Sequence, residues 1–481
     1  PGTKEKKPSG MEEGTDPENE EGEGAEKKKR GQKKFRAAVQ DKVVGVNEVP
    51  PGSRFLGYED FMVQDIQLQA LAIRYRRERW LTPDGRNIVA SLPAGVTDHV
   101  GAELKRFVLM LYHQGQTTVP RLTALLDAMG LDVSERQLVR ILTEQSEAFI
   151  KEARDVLRAA FHKAASWISV DDTGARHKGK NGYCTQIGNH LFTFFATSKS
   201  KSRINFLCLV GAGCSDCALD DEGFACVGRH NMPAWLIDKL QEHPTRLFAD
   251  EAAWLAHLDE MGLTKIKVNP DPVQVATEGA LWGSIMSHGF LKDSVILSDD
   301  AGQFNVGDWH ALCWVHAERL VYKLKLFADM GIEVQDKVRG EIWDFYRDLK
   351  KYKLKPSAKD KKRLTKRFNE IFGQTTQIVA LDKQLVRLRK NKPELLRVLD
   401  RPDIPLHTNG TENDIRCQVT RRKISGTTRS DKGRDSRDAF LGLAKTCMKL
   451  NISFWDYLGD RLGVLPPGSV PPLAAILAAR I

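Results

Sequence analysis

A charged block over residues 316–400 reads as long helices, and the segments on either side of it do not read the same way. Upstream lie short apolar runs of strand length. Trp167-Ile168-Ser169-Val170 is one, and Tyr183–Ile187 and Leu191–Thr197 flank Gly188-Asn189-His190 as a hairpin would. Ile204–Val210 suits a helix or a buried strand, and Ser294–Leu297 is a further short run. Strands first, then a helical block, then more helix predicts an α/β core interrupted by a helical insertion.

Boundaries follow from composition. Residues 1–48 hold an acidic block (Glu12 to Glu26) and a basic block (Lys27 to Arg36) with few apolar residues, the pattern of a disordered charged tail or linker. Residues 53–155 read as a helical region, 163–315 as the first part of the core, 401–460 as its last part and 461–481 as a C-terminal tail. The chain opens on Pro1 instead of Met, which points to a truncated start. No stretch offers the ~18 continuous apolar residues of a membrane span, because Pro466, Pro467, Pro471 and Pro472 break the longest uncharged run. Eight cysteines in 481 residues do not make a disulfide scaffold, so a reducing cytoplasm is expected. The net charge of +10 is modest and permits a nucleic-acid partner.

Three basic features could meet DNA. Leu122, Leu125, Leu126 and Met129 form one helical stripe that Gly130 ends, and Ser134 with Gln137 then makes a capping box for a second helix burying Leu138, Ile141 and Leu142. Residues 117–146 are therefore a helix-turn-helix candidate, with Arg136, Gln137 and Arg140 on the exposed first turns where base edges are read. An ordinary helical hairpin is the plainer alternative. Arg74, Arg76, Arg77 and Arg79, interleaved with Tyr75 and Trp80 before a turn at Pro83-Asp84-Gly85, suit phosphate contact or a surface helix face. Ten basic residues against the single acid Asp360 crowd Lys350 to Arg367, including Lys361, Lys362 and Arg363. They are a grip for DNA or a solvated face.

Carboxylates stand out by context. Asp171 ends one strand-like run, Asp299 ends another, and Glu412 opens a helix-like stretch. Acids gathered by a sheet can hold two Mg²⁺ or Mn²⁺ ions for phosphodiester chemistry. Two cysteine patterns add zinc readings. Cys214, Cys217, Cys226 and His230, spaced C-x2-C-x8-C-x3-H, have the ligand count of a structural site, although small buried thiols explain them too. Cys313-x-x-His316 is half a site and better suits a structural or positioning role.

The wording around the acids is more specific than their spacing. Asp171-Asp172-Thr173-Gly174-Ala175-Arg176-His177, then Ser298-Asp299-Asp300-Ala301-Gly302-Gln303-Phe304 with Cys313-Trp314-Val315-His316, then Asn409-Gly410-Thr411-Glu412-Asn413-Asp414-Ile415-Arg416 with Arg422-Lys423, together resemble the transposases of the IS66 family of bacterial insertion sequences. The resemblance runs from about Arg54 to Leu458, with the three motifs in the family's order. It implies an RNase H-like catalytic core and a DDE transposase that binds its element's terminal inverted repeats and carries out metal-dependent cleavage and strand transfer into target DNA. It assigns the two metal ions to Asp171, Asp299 and Glu412, with Asp172, where the family has Glu, and Asp300 as runners-up. It places Asn409 and Arg416 beside the third acid, aligning backbone or phosphate, and gives Arg416, Arg422 and Lys423 to DNA binding. Assembly as a homo-oligomer on DNA, helper proteins from the same element and a place at the bacterial nucleoid follow from the same resemblance. A non-catalytic helix-turn-helix regulator would leave the three acidic motifs without a role, and a decayed transposase would not need them intact.

Overall fold

The computed structural model describes residues 40–481 apart from 94, 95, 97, 145 and 164. Residues 1–39 of the expected tail lie outside the described residues, and residues 40–48 are exposed without helix or strand. The first regular elements are two strands, β1 (Arg79–Leu81) and β2 (Asn87–Val89), paired antiparallel with Trp80 opposite Ile88. Their turn is the Pro83-Asp84-Gly85 sequence. Gly85 takes φ +81, which costs glycine nothing, and its amide donates to the Thr82 carbonyl at 2.9 Å. The expected helical region over 53–155 is thus corrected at its start: the described residues of 53–101 hold this exposed hairpin and extended chain, because the turn sequence lets the two runs pair as strands.

Helices begin at α1 (Ala102–Leu109), which continues as a π turn, Met110–Gln114. Next come α2 (Val119–Ala128), α3 (Glu135–Thr143) and α4 (Glu147–His162). Gly130 at φ +79 ends α2, and the Leu131 amide reaches back to the Leu126 carbonyl at 2.9 Å, which closes the helix end. Ser134 and Gln137 form the reciprocal capping box of α3. Leu122, Leu126, Leu138 and Leu142 are buried, whereas Leu125 of the stripe is exposed.

The central sheet has five strands: β3 (Trp167–His177), β4 (Lys180–Gly188), β5 (Thr193–Ser198), β8 (Val295–Ser298) and β9 (His310–Leu312). Their order is β5-β4-β3-β8-β9, the first three antiparallel and the last two running parallel to β3. The protein is therefore mixed α/β. Between β5 and β8 the chain makes α5 (Arg203–Val210), β6 (Cys217–Ala218), α6 (Asp221–Arg229), α7 (Ala234–Glu242), β7 (Leu247–Phe248), α8 (Glu251–Glu260) and α9 (Pro272–Ser287). This first helical excursion has its own core around Trp254, Leu236 and Val275.

The block read as helical follows β9. It comprises α10 (Trp314–Tyr322), α11 (Asp329–Leu354), α12 (Ala358–Gly373), α13 (Val379–Lys390) and α14 (Lys392–Leu395). Val338, Ile342, Phe345, Tyr346 and Leu349 recur at helical spacing along α11 and are all buried. Pro356 bars continuation of α11, and Ser357 accepts the Asp360 amide at 3.0 Å to start α12. The chain then returns as α15 (Asn409–Ser425) and α16 (Asp431–Lys449), followed by α17 (Phe454–Arg461) and α18 (Leu473–Ala478). The expected C-terminal tail is corrected: Leu473 and Leu477 are fully buried, and the Leu473 amide donates to Glu152 on α4 at 3.2 Å. Gly463 at φ +69 ends the preceding helix, and Pro472 caps the start of the short new one. No helix among the described residues is long and apolar enough to cross a membrane.

Both faces of the sheet are covered, and strand alternation assigns each residue to one of them. Ile168, Val170 and Ile296 pack into the core built with α4, α5 and α16. Val295 and Leu297 pack into the opposite core with the α10–α14 block, and Trp167 packs against that same core. The two cores therefore meet across the sheet at its parallel edge.

Candidate active site

Alternation decides which acid of each pair can meet the others. Trp167, Ser169 and Asp171 share one face of β3, and the Ser169 hydroxyl bonds Thr411 in the first turn of α15. Asp171 thus faces the helix that carries Glu412. The strand continues to His177, so Asp171 lies within β3 and does not end it. Asp172 points the other way, where Lys201 pairs with one carboxylate oxygen and the Gln303 amide donates to the other at 2.7 Å. Ser169 sits beside Leu297 in the parallel register, and two more residues along each chain bring Asp171 beside Asp299, just past the end of β8. Asp300 lines the same cavity as Asp299, Cys313 and His316, but both its oxygens are taken: Arg387 donates to one at 2.6 and 2.9 Å, and Asn391 donates to the other at 3.0 Å.

Electrostatics report the same crowding. Burial pushes the Asp171 carboxyl up, and the neighbouring charges of Asp299 and Asp172 add to it, so its pKa reaches about 6 despite the Asp172 amide and His316 acting the other way. Glu412 stands in the first turn of α15, where the helix N-terminus favours negative charge. Its Oε1 is buried without a hydrogen-bond partner, with His316 Nε2 at 3.5 Å and Arg319 at 3.9 Å. Burial works against the His316 imidazolium, but Cys313 and Glu412 outweigh it and carry the pKa to about 9. Cys313 precedes α10 and its sulfur accepts the Thr408 amide at 3.3 Å, which ties β9 and α10 to the start of α15.

The helix bearing Glu412 is pinned along its length. Asp414 accepts Thr193 at 2.8 Å and pairs with Lys449. Gln418 donates to Asp438 at 2.9 Å, and the buried Arg421 guanidinium stacks on Tyr112 at 3.7 Å. Arg422 donates to the Gly174 carbonyl of β3, Arg416 donates to Asn413 at 2.8 Å, Asn409 is the first residue of α15, and Lys423 is exposed.

Hard oxygen donors, a Glu412 oxygen without a hydrogen bond and a carboxyl raised by burial and its acidic neighbours suit divalent cations such as Mg²⁺. The three acids do not draw together as tightly as a closed cluster. Among the described residues, the one group of three or more His, Cys, Asp or Glu side chains with donor atoms all within 4.8 Å is Cys214, Asp216 and His288. That finding corrects the Cys214, Cys217, Cys226 and His230 set. Cys217 lies in β6, Cys226 within α6 and His230 just after it, so only Cys214 joins a ligand-like group.

The basic candidates are partly engaged. Gln137 is taken up by its capping box, Arg140 pairs with Glu144 at 3.1 Å, and Arg136 is exposed. In the insertion, Lys361 pairs with Asp400, Arg363 with Asp360 and Asp348, and Arg367 with Asp348, while Lys362 is exposed. The window's one acid, Asp360, pairs with Arg363, and its other partners are Asp348, just before it, and Asp400, well after it. Arg74, Arg76 and Arg77 lie on exposed extended chain, with Arg77 donating to the Ala90 carbonyl at 2.5 Å.

Some site residues carried no sequence signal. Gln186 lies directly across the ladder from Asp171, is fully buried, and has no partner for either amide atom. Lys201 engages Asp172, and Arg387 and Asn391 engage Asp300, from distant elements. Only the β3–β4 register could have pointed to Gln186, and that register is not visible before the strand ends are known.

Residues 288–436, which include Asp299, Cys313, His316 and Glu412, match the family model described as Transposase IS66 family. A relative in Sinorhizobium fredii (strain NBRC 101917 / NGR234), named Uncharacterized protein y4jO, is 49% identical over 318 residues, spanning 66% of this chain and 98% of its own length. With the motifs in order and the family model laid over the second and third of them, the chain belongs to the IS66 family of transposases.

Proposed function

We propose that the chain is a DDE transposase that binds the terminal inverted repeats of its element, cuts at the 3′ ends and joins the freed ends to target DNA. The observation that carries this reading is the charge interaction of Asp171 with Asp299, at the end of the β3–β8 ladder whose Ser169 bonds Thr411 beside Glu412. The strand order, three antiparallel strands followed by two parallel ones, supports an RNase H-like core. Membership of the family supports DNA as the partner. The capped pair α2–α3 supports a helix-turn-helix that reads the ends, and assembly as a homo-oligomer with element-encoded helpers belongs to the same reading.

Asp171, Asp299 and Glu412 would hold two Mg²⁺ or Mn²⁺ ions, which activate the attacking oxygen and stabilise the leaving one. The chain's own groups do the rest. His316 and Arg319 place positive charge against Glu412. Arg387 engages Asp300, and Lys201, paired with Asp172, also places positive charge toward Asp299 and Asp171. Water and then the freed 3′-OH attack in line, so no Ser, Tyr or Cys nucleophile is required. The deciding experiment incubates end-bearing DNA with the protein in Mg²⁺, Mn²⁺ or EDTA. Cleavage at the element boundary with either metal and none in EDTA is expected; binding without cleavage in any metal would leave a DNA-binding regulator instead.

A further inference from the structure

The group formed by Cys214, Asp216 and His288 lies outside the acidic centre. Its donor atoms all fall within 4.8 Å of one another, and two of the three residues are half-buried. The loop that carries Cys214 and Asp216 is shaped for it. Ala212 and Gly213 take left-handed φ of +50 and +91 in succession, and Arg158 donates to the Ala212 carbonyl at 2.9 Å, which holds the turn against α4. His288 comes from the far end of the same excursion, where it caps the C-terminus of α9 and Gly289 turns the chain at φ +72. Its Nε2 lies 2.9 Å from one oxygen of Asp216, and the Ser284 hydroxyl donates to the other at 2.8 Å, fixing the carboxylate.

We propose that Cys214, Asp216 and His288 form a binding site for a thiophilic divalent cation, Zn²⁺ by its chemistry. A thiolate, an imidazole and a carboxylate are the donors zinc accepts, and three protein ligands leave one tetrahedral position for water. A thiolate ligand disfavours Mg²⁺, so the site is chemically distinct from the all-carboxylate centre. The C-terminal end of the 16-residue α9 adds the negative half of a helix dipole, which favours a cation there. Bound metal would clamp the start of the excursion, just after α5, to its end, just before the chain enters β8 and reaches Asp299. The ion would thereby fix the point at which this excursion joins the sheet.

The test uses Co²⁺ as a spectroscopic stand-in on the full chain stripped of metal. One equivalent should give tetrahedral visible bands and a sulfur-to-cobalt charge-transfer band, displaced by Zn²⁺ and untouched by excess Mg²⁺. Cys214→Ser should abolish the charge-transfer band, and Asp216→Asn and His288→Ala should each weaken affinity by more than about tenfold. Cys217→Ala, on the adjacent strand, should keep the band. Should Cys214→Ser fail to fold, as judged by circular dichroism, the affinities of the other two variants decide. No charge-transfer band in the parent chain, a band that survives Cys214→Ser, or wild-type affinity in both Asp216→Asn and His288→Ala would overturn the proposal.

Discussion

Asp171 and Asp299 are neighbouring charges: each lies two residues beyond the last pair of the parallel β3–β8 ladder, Ser169 and Leu297, and the charge of Asp299 acts on the Asp171 carboxyl. Burial first, with the like charges of Asp299 and Asp172 adding to it, favours protonation, and the Asp171 carboxyl sits at about 6. Asp171→Asn, Asp299→Asn and Glu412→Gln each keep shape and remove one charge. Each should abolish strand cleavage by orders of magnitude, with end binding and folding nearly intact. Asp172→Asn and Asp300→Asn should keep appreciable activity, since those carboxylates are committed to Lys201 and Gln303 or to Arg387 and Asn391. A gel assay on end-bearing DNA reads all five. Wild-type cleavage by Glu412→Gln would move the third ligand elsewhere.

The same crowding has a cost in the metal-free protein. A carboxyl whose folded pKa is raised from 3.8 to about 6 binds more protons folded than unfolded across that window, so its contribution to stability falls as pH rises from about 4 to about 6 and stays lost above it. Asp171→Asn should therefore stabilise the metal-free protein at pH 7 to 8, by up to about 3 kcal/mol at 1.36 kcal/mol per unit. At pH 4 the gain should vanish. Thermal melts in EDTA at the two pH values measure it, and a variant that melts lower than the parent at pH 8 would contradict the repulsion argument.

Much of the fold could be read from residue pattern, because apolar runs and turn residues act locally. The β4–β5 hairpin, β8, the capping box at Ser134 and the helical block after His316 all follow from signals within a few residues. What was not legible depends on contacts over long separations. Nothing near Arg387 announces that it holds Asp300, and nothing near Asp348 announces that it neutralises Arg363 and Arg367. The opening of the 53–155 region departs from a helix for a related reason: arginines interleaved with aromatics fit a helix face or a strand equally well until Gly85 closes the turn. The choice between Asp171 and Asp172 needed the pleat of β3, which reverses the face at every residue.

Gln186 offers a test beside the first acid. It is buried opposite Asp171 with both amide atoms unpartnered. Replacing a buried polar group that makes no bond with an apolar one of similar size is close to neutral or stabilising. Gln186→Leu should thus leave the melting temperature unchanged or raised. If the amide positions Asp171 during the reaction, cleavage falls while DNA affinity holds, and Gln186→Glu, which adds another charge there, falls further. Equal cleavage by parent and both variants would remove Gln186 from the site.

At the candidate reading helix, the structure separates three side chains that look alike in sequence. Arg136 is exposed, Gln137 is spent on the cap and Arg140 pairs with Glu144. Arg136→Ala should weaken binding to element ends by about 1–3 kcal/mol, the worth of a base contact, with a smaller loss on random DNA. Ser134→Ala should instead cost about 1 kcal/mol of stability through the lost cap. A fluorescence-anisotropy titration on both DNAs distinguishes them, and equal losses for Arg136→Ala on end and random DNA would reduce that residue to phosphate contact.

The basic run on α12 permits a quantitative test of how much charge remains for DNA. Each phosphate contact contributes about 0.9 to the slope of log affinity against log salt. Five free cations at Lys361, Lys362, Arg363, Lys366 and Arg367 would give a slope change of about 4.5 when neutralised together. Asp348, Asp360, Asp400 and Glu370 already pair with four of them, Lys366 only loosely at 3.8 Å from Glu370. The fivefold variant should therefore lose much less than that, with Lys362 and Lys366 accounting for most of the change. Lys362→Ala with Lys366→Ala should reproduce nearly the whole effect, while Arg363→Ala with Arg367→Ala should lower stability and leave the slope nearly unchanged. A full-sized slope change for the arginine pair would mean that DNA displaces Asp348, and an unchanged slope for all five would assign this face to solvent.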